Sequence, residues 1–183
     1  LGVPTAYGGM IANLIPELRD RIPSHFLGED LDLAKRTVER LMTVPRPLPA
    51  VEPVSESYRR ARDHYGEREG LIEADMSAEA RSMTVSPRYL AIANWHLAQN
   101  IDAALALGDM SYLGTDIEWV AGLLGNYDLS VEGLRGYLVA YHKAAKQHLD
   151  ERGEPVVTWL DQVLRENGFA GTQGVADGSG RNG

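Results

Sequence analysis

The stretch Ser86–Gly108, SPRYLAIANWHLAQNIDAALALG, decides the fold class. Ser86 suits an N-cap, and Pro87 falls at the first helical position, where its missing N–H costs nothing. Gly108 suits a left-handed stop, so the spacing predicts a helix of about five turns. Leu90, Ala93, Leu97, Ile101, Ala104 and Leu105 make one stripe at helical spacing. Tyr89, Ile92, His96, Ala103 and Leu107 make an adjacent one, so the helix is apolar around most of its circumference. Such a helix belongs in a core, yet it carries an imidazole beside an indole at Trp95-His96. An unsatisfied buried imidazole costs about 1–3 kcal/mol. His96 therefore either faces a ligand or is a core histidine bonded to a carbonyl or carboxylate.

Outward from this helix, apolar residues recur almost everywhere at helical spacing, and no window alternates as a half-buried strand does. The fold class expected is all-α. Met10–Arg21 reads as a helix kinked at Pro16, and Asp30–Met42 as an amphipathic helix with Leu31, Ala34, Val38 and Leu41 on one face. The prolines of Val44–Pro53, VPRPLPAVEP, forbid a helix and favour an extended connector. Ser55–Tyr65 reads as a helix closed by Gly66, with another over Glu69–Met83. Beyond Gly108, Asp109 or Ser111 caps a helix running through Tyr112, Ile117, Val120 and Leu124 to Gly125. Ser130 caps a long helix, Val131–Glu151, closed by Gly153, and Pro155 opens a last one stopped by Gly168.

Three regions follow. Residues 1–53 supply N-terminal helices and a proline-rich connector expected to pack on the core, residues 54–170 a helical ligand-binding domain, and residues 171–183 a disordered tail without apolar content.

Composition removes several functions. A net charge of −8 with scattered Lys and Arg argues against a nucleic-acid surface. The absence of cysteine excludes disulfides, thiolate metal sites and thioether attachment of a cofactor. No apolar run is long enough to span a membrane and no export signal is read, so the expectation is a soluble, cytoplasmic protein. The sequence carries no HExxH, no paired Glu-x-x-His and no phosphate loop, and no Ser/His/acid order stands out. A ligand-binding protein fits better than an enzyme.

The second aromatic concentration lies on the Val131 helix, where Tyr137, Tyr141, Ala144 and His148 share one edge. That edge suits either a flat conjugated ligand or an ordinary helix contact. Trp95 projects about 100° from His96, with Arg88, Gln99 and Asp102, at a boundary. His142 lies beside Arg135, Val139 and Lys146 and is expected to be exposed.

Trp95-His96-Leu97, then Ala104-Leu105-Ala106-Leu107-Gly108-Asp109, the aromatic-bearing helix Ile117–Leu124, and Leu129-Ser130-Val131-Glu132-Gly133-Leu134 opening the long helix form an ordered series. This part of the chain, Tyr89–Leu149, resembles a bacterial globin-like helical sensor domain that often accompanies cobalamin-binding modules. Members joined to cobalamin domains resemble bilin-binding photoreceptors. Two departures stand out: Trp95 replaces the commoner tyrosine, and the cobalamin module itself is absent.

The resemblance implies a globin-like bundle in which His96 faces a tetrapyrrole. A bilin such as biliverdin would be held non-covalently, in a photosensor or chromophore carrier. Joined to the residue reading, His96, Trp95, Tyr89 and Ile92 line the slot with Tyr137, Tyr141 and His148, while Arg88, Arg81 or Arg59 meets the propionates. If the ligand is haem, His96 becomes its iron ligand. The alternative of another class is a ligand-free regulatory or interaction bundle with a structural His96. The apolar surplus of the Pro87 helix is covered within the chain or by a second copy, and any signal passes to a separate partner.

Overall fold

A computed structural model describes residues 5–44, 46–79, 86–123 and 130–169, the side chains of Ile117, Trp119 and Leu123 excepted. The residues fall into two units, divided between Ser55 and Glu56.

In the first unit, strand β1 (Ala6–Tyr7) pairs in parallel with β2 (His25–Phe26), a pairing too short to leave an alternating pattern in the sequence. Helix α1 (Met10–Leu14) and a 3-10 turn over Pro16–Asp20 lie between them. The single kinked helix expected over Met10–Arg21 is thus broken in two. Proline disfavours helical geometry at the residue before it, and Ile15 adopts φ −126°, ψ 81°. The Arg19 guanidinium lies 4.2 Å from the centre of the Phe26 ring and donates to the Ala12 carbonyl at 2.9 Å. Helix α2 (Leu31–Thr43) starts where Asp30 accepts the Leu33 N–H at 2.8 Å. Of its predicted apolar face only Leu41 is buried, and Leu31 and Val38 are exposed. Residues 46–55 form no helix, as their prolines require.

The second unit is wholly helical among its described residues: α3 (Glu56–Glu79), α4 (Pro87–Leu107), α5 (Ile117–Leu123), α6 (Val131–His148) and α7 (Glu154–Glu166), with 3-10 turns at Met110–Leu113 and Glu151–Gly153. The all-α class expected from periodicity holds. Helix α3 packs on α4 and α6, and α6 packs on α7.

Gly66 closes no helix. It lies inside the uninterrupted α3, as does Gly70, although each costs a helix interior about 1 kcal/mol relative to alanine. What offsets that cost is a buried row formed by Ala61, Tyr65, Ile72 and Met76, which spans both glycines. Helix α4 begins at Pro87 with Ser86 at the N-cap position, though the Ser86 side chain makes no cap bond, and Gly108 (φ 80°) closes it in the left-handed conformation. The helix expected from Tyr112 onward is instead a 3-10 turn, a break at Gly114 (φ 60°) and the short α5. Asp109 caps the turn by accepting the Ser111 N–H at 2.8 Å. Ser130 caps α6 through Gly133 N–H at 3.1 Å, but α6 stops at His148, short of the expected Glu151. Leu149 turns extended there and the chain enters a 3-10 turn before α7. Arg81, Met83, Leu124, Gly125, Leu129 and the tail, named above from the sequence, lie outside the described residues.

Candidate functional site

Helix α4 has an inner, buried face and an outer, open one. Its inner face buries Leu90, Ala93, Leu97, Ala98, Ile101, Ala104 and Leu105, and among them the amide of Asn94. Its outer face carries Tyr89 at 50% exposure and Trp95 at 59%, with Ile92 and His96 half-buried and Arg88 exposed. The Trp95 and His96 rings meet edge to face, 4.8 Å between centroids and 72° between planes. Among the described residues the His96 ring nitrogens have no hydrogen-bond partner. Its backbone carbonyl accepts from Asn100 Nδ2 at 2.8 Å.

The aromatic edge of α6 goes to a different use. Tyr137 and Tyr141 are 1% and 2% exposed, with ring centroids 6.0 Å apart. Tyr137 Oη donates to Asn94 Oδ1 at 2.9 Å, and Tyr141 Oη lies 2.6 Å from Tyr65 Oη. Burial pushes the phenols of Tyr65, Tyr137 and Tyr141 well above the usual tyrosine range. At Tyr141 the negative carboxylates of Glu69 and Glu73 push in the same direction. His148 Nε2 lies 2.9 Å from Asp75 Oδ2. His142, expected to be exposed, is half-buried with its ring near Asp161, and desolvation lowers its pKa.

The fully buried imidazole is His64, on α3. Its Nε2 accepts the Asp150 N–H at 3.2 Å and so ties α3 to the corner between α6 and α7. Its Nδ1 has no hydrogen-bond partner, the Glu67 carboxylate lying 3.9 Å away. No sequence motif surrounds Asp63-His64. Position 64 does fall at helical spacing from Ala61, which is the signal that places it inside.

Three grooves adjoin these elements. One of 420 Å³ lies between Tyr58, Met110, Trp159 and Gln162, and one of 370 Å³ between Asp75, Glu79, Lys143 and Gln147. None of the predicted ligand-facing residues lines either. The third, of 50 Å³, lies between α3 and α4 and is lined by Glu69, Glu73, Asn94, Trp95 and Tyr141. It brings together Trp95 and Tyr141 from the predicted set. Arg88, Tyr89, Ile92 and His96 stay on the outer face of α4, while Tyr137 is bonded in the interior and the half-buried His148 pairs with Asp75. An interior slot lined by the whole predicted set, wide enough for a tetrapyrrole, is not formed among the described residues. Asn94, Tyr65, Glu69, Glu73 and Asp75 were missed by sequence reading, although Asn94 stands on the core side of α4 between Leu90 and Ile101.

No grouping of three or more His, Asp or Glu residues among the described ones is placed to hold a metal ion. No described helix is long and apolar enough to cross a membrane. Comparison with protein-family models, curated proteins and solved structures finds no match to this chain.

Proposed function

We propose that this chain is a small-molecule-binding helical module, not an enzyme, and that its ligand is a non-covalently held bilin laid against the outer face of α4. The observation that supports this is the Trp95–His96 pair. Both rings sit on the open side of α4, in mutual contact at 4.8 Å, instead of being used by the core. A flat conjugated ligand needs such planes to stack on and one ring nitrogen to bond. His96 supplies the nitrogen, Tyr89 and Trp95 the planes, Ile92 an apolar contact, and Arg88 a cation for a propionate. When bound, the bilin supplies absorption of visible light. The protein's own residues orient it and shield one face from water. A globin-like photosensor or chromophore carrier is the role this reading assigns. Haem, with His96 as its ligand, is the alternative occupant of the same face.

A second reading is a ligand-free regulatory module. Its support is that Tyr137, Tyr141 and His148 are each bonded within the domain, as an ordinary helix contact requires. An exposed Tyr89, Ile92 and Trp95 face also suits a protein partner.

Mixing the purified protein with biliverdin and, separately, with haem distinguishes them. A saturable red-shifted band with biliverdin supports the bilin, and a sharp Soret band with haem alone supports the second occupant. A colourless protein in both mixtures removes the tetrapyrrole reading.

A further inference from the structure

The small pocket between α3 and α4 brings one buried, unmet donor beside two carboxylates. Asn94 lines it and is 4% exposed. Its Oδ1 is taken by the Tyr137 hydroxyl, and its Nδ2 is buried with no partner. A buried donor left unmet costs about 1–3 kcal/mol, so the site calls for an acceptor. Glu69, half-buried, and Glu73, exposed, line the same pocket one turn apart on α3, with no ion pair to either among the described residues. Their carboxylates can accept from a donor seated there. Ile72, Ala98 and the Trp95 ring supply apolar walls between these polar groups.

The geometry points to this pocket as the binding site for a lactam, a ring amide whose C=O and N–H lie on one edge. The carbonyl accepts from Asn94 Nδ2, a small rotation of the amide about its broad terminal torsion bringing the N–H to bear. The lactam N–H donates to Glu69 or Glu73, and the ring lies against Trp95. An anion is rejected by the two carboxylates, and a simple cation leaves the Asn94 N–H unmet. At 50 Å³ the pocket exceeds the space one water needs, about 10–15 Å³, and admits the polar edge of a single five-membered ring. This inference rests on the bilin reading and deepens it: a bilin ends in two lactam rings, haem in none. Trp95 stands at the border between the pocket and the outer face, so an end ring seated here leaves the rest of the ligand running toward His96.

The test compares wild type with Glu69→Ala/Glu73→Ala, which removes no core contact and leaves a good helix former at each site. Biliverdin and haem both carry two propionates, so losing two negative charges by Coulomb effects alone tightens both. Loss of the lactam bond instead lowers the ratio of biliverdin to haem affinity, by about tenfold. An unchanged ratio overturns the inference while leaving the tetrapyrrole reading in place. If neither tetrapyrrole binds the wild type, the functional reading fails. The pocket is then judged with 2-pyrrolidinone alone, followed through the Asn94 side-chain amide resonances. A saturable shift in wild type, lost in the double variant, supports the lactam site. No shift means that the pocket holds water only, and overturns it.

Discussion

The hydroxyls of Tyr65 on α3 and Tyr141 on α6 lie 2.6 Å apart in the interior of the helical unit. Each phenol is almost wholly buried, and each is the other's polar partner. Tyr141→Phe should therefore destabilise the unit by about 1–3 kcal/mol, because the Tyr65 hydroxyl is left unmet. Tyr65→Phe/Tyr141→Phe should cost less than the two single changes summed, since no orphan remains. Urea denaturation of the four proteins in the cycle measures this. Strict additivity would mean that the two hydroxyls do not bond.

Alkaline titration should distinguish the buried phenols. The folded pKa values of Tyr65, Tyr137 and Tyr141 are raised, chiefly by desolvation, so the unfolded chain ionises first as pH climbs. Their contribution to stability is complete below about pH 10 and is lost as pH rises through that unfolded value toward the folded ones. Absorbance at about 295 nm should show part of the tyrosine signal appearing only with loss of helical circular dichroism. Smooth titration of all eight tyrosines in a folded protein would contradict this burial.

Gly66 and Gly70 test the continuity of α3. A Cβ at either position meets nothing within 4 Å, and neither has a positive φ. Gly66→Ala and Gly70→Ala should each stabilise the unit by about 0.5–1 kcal/mol, visible as a higher Tm. A glycine closing a helix in the left-handed conformation would give the opposite sign, because alanine is strained there.

That contrast shows what the sequence reveals and what it hides. Pro87 and Gly108 mark the ends of α4 by local backbone chemistry, which needs no knowledge of the partner helix. Gly66 is locally ambiguous, and what decides it is the buried row from Ala61 to Met76 packing on α4 and α6, a tertiary effect. The pairing of β1 with β2 involves two residues on each side and leaves no periodicity to read. The aromatic edge of α6 was legible as an edge. Its partners were not, because Asn94, Tyr65 and Asp75 come from other helices at long sequence separation. The apolar composition of α4 likewise hid which of its faces stays open.

The histidines should separate by variant. His64→Ala removes a fully buried ring and leaves the Asp150 N–H without its acceptor, a cost of about 2–4 kcal/mol. His96→Ala, on the open face, should cost less than about 1 kcal/mol. Equal losses in urea denaturation would show that His96 is a core residue and would count against a ligand-facing role.

The central claim is that His96 faces a planar ligand from the outer face of α4. Its most direct test is a biliverdin titration of wild type and His96→Ala, followed by absorbance between about 350 and 750 nm. Wild type should give a saturable bound-state band that is lost or displaced in the variant while the helical fold persists. An identical band and affinity in both proteins would contradict it.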